Sequence, residues 1–177
     1  MVVLRWIVVW VVLLLAAFKI PPVNASVDEI PDIIGGVIPL LSFESSPGGE
    51  LFSSGRVSSR GHVYYVVRVK NQTGDQILAE SLIVVVERLQ EMSRLHDVTA
   101  ELELPGVEGE TEEGKPYYRV PMGENKFLGP FAESEPFSLE IQNPNLMRLY
   151  PPVLRVRGIR ISAAQRHQDA LSNAGEN

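Results

Sequence analysis

The stretch His62–Lys70, HVYYVVRVK, decides the fold. Val63, Tyr65, Val67 and Val69 alternate with His62, Tyr64, Val66, Arg68 and Lys70. A period of two is the mark of a β-strand with one buried face. The next five residues, Asn71-Gln72-Thr73-Gly74-Asp75, read as a turn, because Asn and Gly tolerate the positive φ of a tight reversal. Beyond it, Leu82–Leu89 (LIVVVERL) is β-branched and almost continuously apolar, which predicts a central strand covered on both faces.

The pattern continues outward. Ala100, Leu102 and Leu104 alternate with Glu101 and Glu103, and Pro105 ends the run, so a further half-buried strand is expected there. Gly106–Gly114 reads as an acidic turn region, Pro116–Val120 as a return to β structure, and Gly123–Pro136 as loop. Phe137, Leu139 and Ile141 give another alternating strand, Asn143-Pro144-Asn145 a turn, and Val153–Ile161 a last strand with Leu154 and Val156 opposite Arg155 and Arg157. Upstream, Leu51–Ser59 is a candidate strand, and residues 26–49 carry enough Pro and Gly to read as linker with a short strand near Ile38–Phe43. The expected fold is all-β, an antiparallel sandwich of about seven strands spanning residues 50–161, followed by a small, polar tail at 162–177 expected to be disordered.

The N-terminus is of a different kind. Residues 1–25 read MVVLRWIVVWVVLLLAAFKIPPVNA: a basic Arg5, an unbroken apolar run from Trp6 to Phe18, then Pro21 and Pro22. The run has the length of a secretory signal core and falls short of the ~20 residues that span a bilayer. Val23-Asn24-Ala25 offers a small residue at the cleavage position, so cleavage is expected between Ala25 and Ser26. An uncleaved anchor is the alternative; Arg5 would then stay on the cytoplasmic side. Either way the remainder is expected outside the cytoplasm, as a secreted, periplasmic or cell-surface domain.

Removing residues 1–25, whose Arg5 and Lys19 face no acid, takes the net charge of the whole chain from -6 to -8. An acidic surface repels phosphate backbones, which argues against nucleic-acid binding. The chain has no cysteine, so no disulfide framework holds it together.

The order VRVKNQTGD, LIVVVERL, DVTAELELPG, EEGKPYYRVP, FSLEIQNPN, VLRVRG resembles an immunoglobulin-like or fibronectin type III-like β-sandwich module of bacterial secreted and surface proteins. The matching positions are Asn71 with Gly74, Gly114 with Pro116 and Tyr117, and Asn143 with Pro144, within about Val63–Gly158. The resemblance implies a fold and no site; these residues form turns and core.

Little catalytic chemistry is written in the chain. His62, His96 and His167 have no ligand spacing, and His96-Asp97 reads as a polar turn. No Gly-x-Ser-x-Gly and no phosphate-binding loop is present; in Glu113-Gly114-Lys115-Pro116 a Pro follows the Lys, where such a loop needs Ser or Thr. Asn71-Gln72-Thr73 fits a glycosylation acceptor, but the turn reading is favoured. Glu108, Glu110, Glu112 and Glu113 crowd one loop and Glu133 and Glu135 another, which leaves calcium open, though a solvated acidic loop is the simpler reading. Tyr64, Tyr117, Tyr118 and Tyr150 could stack on a sugar or a partner, or close the core edge. The expectation is an exported, non-catalytic module that binds an envelope or extracellular protein or a glycan. The alternatives are a calcium- or carbohydrate-binding accessory module and a membrane-anchored assembly or secretion accessory. No binding, catalytic or metal residue is singled out, and no cofactor is called for.

Overall fold

The computed structural model describes residues 27–33, 35–42 and 61–164, together with the backbone of 56–57. Residues 1–26, with the expected cut between Ala25 and Ser26, the expected strand Leu51–Ser59 apart from the backbone of 56–57, and the tail beyond residue 164 lie outside the described residues.

Among the described residues eleven strands run in chain order: β1 Val37–Ser42, β2 Arg56–Val57, β3 Val63–Asn71, β4 Gln76–Leu78, β5 Ile83–Arg88, β6 Gly109–Glu110, β7 Pro116–Arg119, β8 Phe127–Leu128, β9 Phe137–Ile141, β10 Val153–Arg157 and β11 Arg160–Ile161. Seven of these are three residues or longer; β2, β6, β8 and β11 are two-residue pairings. Every pairing is antiparallel, and no α-helix of a full turn or more joins the strands among the described residues. The described part of the chain is therefore all-β.

One sheet is built on β3, with β1 and β2 along one edge and β9 on the other. A second has the order β10-β5-β7-β6, and a small third has the order β11-β4-β8. The alternation that decided the fold holds: Val63, Tyr65, Val67 and Val69 are buried, and Arg68 between them is exposed. Val63, Tyr65 and Val67 share one buried cluster with Leu139 and Ile141 of β9, Val86 of β5 and Tyr118 of β7. Val69, Val84, Val120 and Val156 belong to a second cluster with Ile77, Leu82 and Leu128. The inner faces of the two larger sheets thus close on a common interior, where each fully buried aliphatic side chain contributes about 1.5–3 kcal/mol.

β5 is buried on both faces, as its unbroken apolar run predicts. Its second cover comes from far up the chain. Val27 and Ile30 pack on Ile83, Val85 and Tyr117 on the outer side of the second sheet. The same segment lies along the edge of β10: Ile33 N–H donates to Val156 O (3.1 Å), Gly158 N–H donates to Pro31 O (3.0 Å), and Asp32 bridges Arg157. Residues 27–33, in the stretch read as linker, therefore form a strap that occupies a sheet edge otherwise open to unwanted pairing.

Several expectations are corrected. The Gly106–Gly114 turn region and the Gly123–Pro136 loop each hold a two-residue strand, β6 and β8, paired with β7 and β4. No strand runs over Ala100–Leu104; Thr99–Glu101 is a 3-10 turn, and Glu103 makes one isolated bridge to Gln142. The cause is side-chain competition with the ladder: Asp97 accepts from the Thr99 N–H (2.9 Å) and from its hydroxyl, which curls the backbone. Leu102 and Leu104 still turn inward, so the alternation reports burial without a ladder. The expected single strand Val153–Ile161 is two, β10 and β11. They break at Gly158, where a Cβ would lie 2.8 Å from Ile33 Cδ1 and 3.1 Å from Ile77 Cγ2.

Candidate functional site

Asn71 ends β3 with its side chain 0 % exposed. Its Nδ2 donates to Asp75 O (2.9 Å) and Gly129 O (2.8 Å), while Oδ1 accepts from Thr73 N–H (2.9 Å) and Thr73 Oγ1 (2.7 Å). Both ends of the amide are satisfied inside the turn. The nitrogen that a glycan would need is buried and hydrogen-bonded, so Asn71-Gln72-Thr73 is a turn. Asn143 works in the same way: Nδ2 donates to Met147 O (2.7 Å) and Oδ1 accepts from Met147 N–H (3.0 Å).

The histidines separate. His62 Nδ1 lies 2.6 Å from Glu140 Oε1, and the Tyr64 hydroxyl donates to the same oxygen at 3.3 Å. Tyr64 and Glu140 sit directly opposite across β3 and β9, so this is a cross-strand polar cluster set by register. His96 lies between two carboxylates, with Nδ1 3.2 Å from Glu91 Oε2 and Nε2 3.8 Å from Glu101 Oε1. The two nitrogens point at different acids, so the three groups do not converge on one point.

The acidic loops divide as well. Glu108 pairs with Arg119 (3.1 Å) and Glu133 with Lys70 (2.9 Å). The Lys70 hydrogen bond and charge hold the Glu133 carboxyl below its ordinary value. Among the described residues, no three His, Asp or Glu side chains gather closely enough to hold one metal ion. Of the tyrosines, Tyr118 is buried and donates to Pro105 O (3.2 Å), Tyr64 and Tyr117 are half-buried, and Tyr150 is exposed.

Among the described residues, one concave feature joins pieces of motifs that lie apart in the sequence, Asp97 of the His96-Asp97 turn with Glu110 and Glu113 of the acidic loop. An open groove of about 610 Å³ runs between residues 97–107 and the hairpin joining β6 to β7. Ala100, Leu102, Leu104, Val107 and Pro116 supply its apolar lining; Asp97, Glu110, Glu113 and Lys115 supply its polar rim. The hairpin is closed by Gly114 N–H donating to Thr111 O (2.8 Å) and by Thr111 N–H donating to Lys115 O (2.9 Å). That places Lys115 Nζ 3.6 Å from Asp97 Oδ2. Beyond this pair a second hollow of about 430 Å³ continues past Glu87, Arg88, Val153 and Arg155.

Asp97 is fixed from below. Thr99, itself buried, accepts from Leu89 N–H (2.7 Å) and binds Asp97 through both its N–H and its hydroxyl. Partial burial raises the Asp97 pKa, but the Thr99 hydrogen bonds and the Lys115 charge outweigh it, and the net shift is downward. Asp97 is therefore a fixed anion at neutral pH, suited to holding a cation and poorly suited to taking a proton. Eighteen positions separate Asp97 from Lys115, and a single sequence carries no signal that joins them. Compared with known protein families, with curated proteins and with solved structures, the chain matches none.

Proposed function

We propose that this chain is an exported, non-catalytic binding module of the cell envelope, and that the groove beside the Asp97–Lys115 pair is where it takes its partner. The two facing sheets are read as an immunoglobulin-like sandwich. The buried turn-forming Asn71 and Asn143, which carried the resemblance, support that reading. Support for export comes from the apolar run Trp6–Phe18 with a small residue at Ala25; Val27, two residues on from Ala25, already packs on the second sheet, so a cut after Ala25 leaves the strap whole.

The observation that carries the binding role is the groove's composition. Leu104 and Val107 are only half-buried, and acidic side chains stand around them. An extended protein segment with an apolar side chain and a flanking Lys or Arg fits that chemistry: the apolar group covers the floor and the cation meets Glu110 and Glu113.

The test is affinity capture from the native envelope of the C-terminally tagged chain, beside a Leu104→Asp, Val107→Asp variant, with intact mass read on both. The expected result is one envelope protein held by the parent and lost from the variant, with the mass starting at Ser26. Capture that the variant leaves unchanged refutes the groove. Calcium and polysaccharide titrations of the same material test the accessory-module alternative, and a full-length mass in the membrane fraction would favour the anchored one.

A further inference from the structure

At the end of the fold where β5 leaves the second sheet and β10 enters it, two loops lie side by side. Met92 N–H donates to Arg148 O (2.7 Å), Tyr150 N–H donates to Gln90 O (2.9 Å), and Glu91 bridges Leu149. Beneath them Leu89, Val98 and Leu149 are buried in the main core, so the pair is anchored. On the outside the sequence does the opposite of what solubility asks. Leu95 is 61 % exposed and Leu146 67 %, with Met92 and Tyr150 also exposed.

Leu95 and Leu146 sit at φ 57° and 52°, a region that disfavours every residue with a Cβ and that Gly or Asn fills at least cost. A leucine held there, facing water, is a feature the fold does not need. The charges around it are equally distinct. Arg88, Arg94 and Arg148 are exposed on the same two loops and their bases, and none takes part in an ion pair among the described residues. The acids of the same loops and bases lie against other cations, Glu87 against Arg155 (3.0 Å), Glu91 against His96 (3.2 Å) and Asp97 against Lys115 (3.6 Å), on a chain whose net charge is -6. Phe131, 70 % exposed at φ 58°, lies at the other end and shares its loop with Glu133 and Glu135.

We infer that this end docks on an anionic lipid surface, with Leu95 and Leu146 entering the headgroup boundary and the three arginines meeting lipid phosphates. Apolar tips give depth and basic residues give selectivity for negative headgroups, and the acidic remainder turns the molecule so that this end leads. The inference stands on different side chains from the groove and survives if the groove reading fails.

The chain has no cysteine, so Leu95→Cys and Phe131→Cys each create one site for an environment-sensitive fluorophore. Full-length labelled protein is mixed with vesicles of phosphatidylcholine alone or of phosphatidylcholine with phosphatidylglycerol. Because the readout is local, attachment through the N-terminal apolar segment does not imitate it. The expected result is a blue shift at position 95 on the mixed vesicles only, reduced by added salt, with none at position 131. Arg94→Gln and Arg148→Gln should each weaken the response at position 95 by about fivefold. A label at 95 that stays in water on the mixed vesicles overturns the inference, as does an equal shift at 131. So does a shift without vesicles that grows with protein concentration, which would assign the surface to a second copy of the chain.

Discussion

Replacing Asp32 by Ala tests whether the strap is part of the fold or lies idly on it. Asp32 Oδ1 accepts from Arg157 Nε at 3.0 Å and Oδ2 accepts from Arg155 Nη1 at 3.0 Å. The two bonds differ in worth. Arg155 is exposed and also has Glu87 3.0 Å away, at an angle that makes an ion pair without a hydrogen bond. Losing Asp32 there costs less than about 1 kcal/mol. Arg157 is 8 % exposed, and its remaining carboxylate, Asp28, is 3.7 Å away. Stranding a buried charge costs about 3–5 kcal/mol, and the Asp28 contact and the partly exposed position of Asp32 offset some of it. The expected loss is about 2–3 kcal/mol in urea unfolding followed by far-ultraviolet circular dichroism, on the chain beginning at Ser26. Arg157→Met in the same background should restore most of it, because the uncompensated charge is then gone. Amide exchange along Ile83–Val85 should quicken in Asp32→Ala, since the strap covers that face. A loss below about 0.5 kcal/mol, or no rescue by Met, refutes the account of Arg157 as a buried charge held by the strap.

Three further outcomes follow from the same geometry. Asn71→Ala leaves the Asp75 and Gly129 carbonyls and the Thr73 N–H without their partner and should cost about 3 kcal/mol in the same assay, with Asn71→Asp no better at neutral pH. Gly158→Ala drives a methyl group into Ile33 and Ile77 and should cost about 1–3 kcal/mol, most of it recovered by Ile33→Val. Burial raises the pKa of Tyr65 to about 12, and burial with the nearby Glu140 charge does the same for Tyr118, from an ordinary 10.0. The fold therefore favours both neutral phenols: their contribution is complete below pH 10.0 and is lost as pH rises through about 12. Phenolate absorbance should then rise together with the loss of β circular dichroism, and Tyr65→Phe should move that transition to higher pH; an early, non-cooperative rise from both rings would contradict it.

The parts of the fold legible in the sequence are those set by local period. β3 alternates, β5 is apolar on both sides, and both read directly as strands. Asn71 and Asn143 read as turn residues because a short amide side chain can close its own loop. What could not be read depends on partners far along the chain. The second cover of β5 comes from Val27 and Ile30, more than fifty positions earlier, in a stretch whose Pro and Gly content suggests linker. Ala100–Leu104 has the right alternation for a strand, and only the position of Asp97 against Thr99 decides that it curls. The groove was invisible for the same reason: its floor is ordinary apolar sequence, and its rim comes from two segments that the fold brings together.

The two proposed surfaces meet on one loop, and this has a physical consequence. Residues 90–99 carry Leu95 on their outer side and Asp97 at the groove, and they are held at their base by Val98 N–H to Leu89 O (2.7 Å) and Leu89 N–H to Thr99 Oγ1 (2.7 Å). Those bonds join the loop to the C-terminal end of β5, the most deeply buried strand of the second sheet. A displacement of Leu95 therefore has to be absorbed within the loop or carried to Asp97; it cannot be absorbed by sliding the base, because that would break buried hydrogen bonds. Linkage then requires reciprocity: if lipid contact at Leu95 changes the affinity of the groove for a segment bearing a cation, occupation of the groove changes the affinity for lipid by the same factor. Thr99→Val is the discriminating substitution. It keeps the shape of the side chain and removes the hydroxyl that joins Asp97 to Leu89, so it should loosen any such coupling while leaving Leu95, Leu146 and the three arginines in place. Unchanged coupling in that variant would show that the two surfaces act through some other part of the chain.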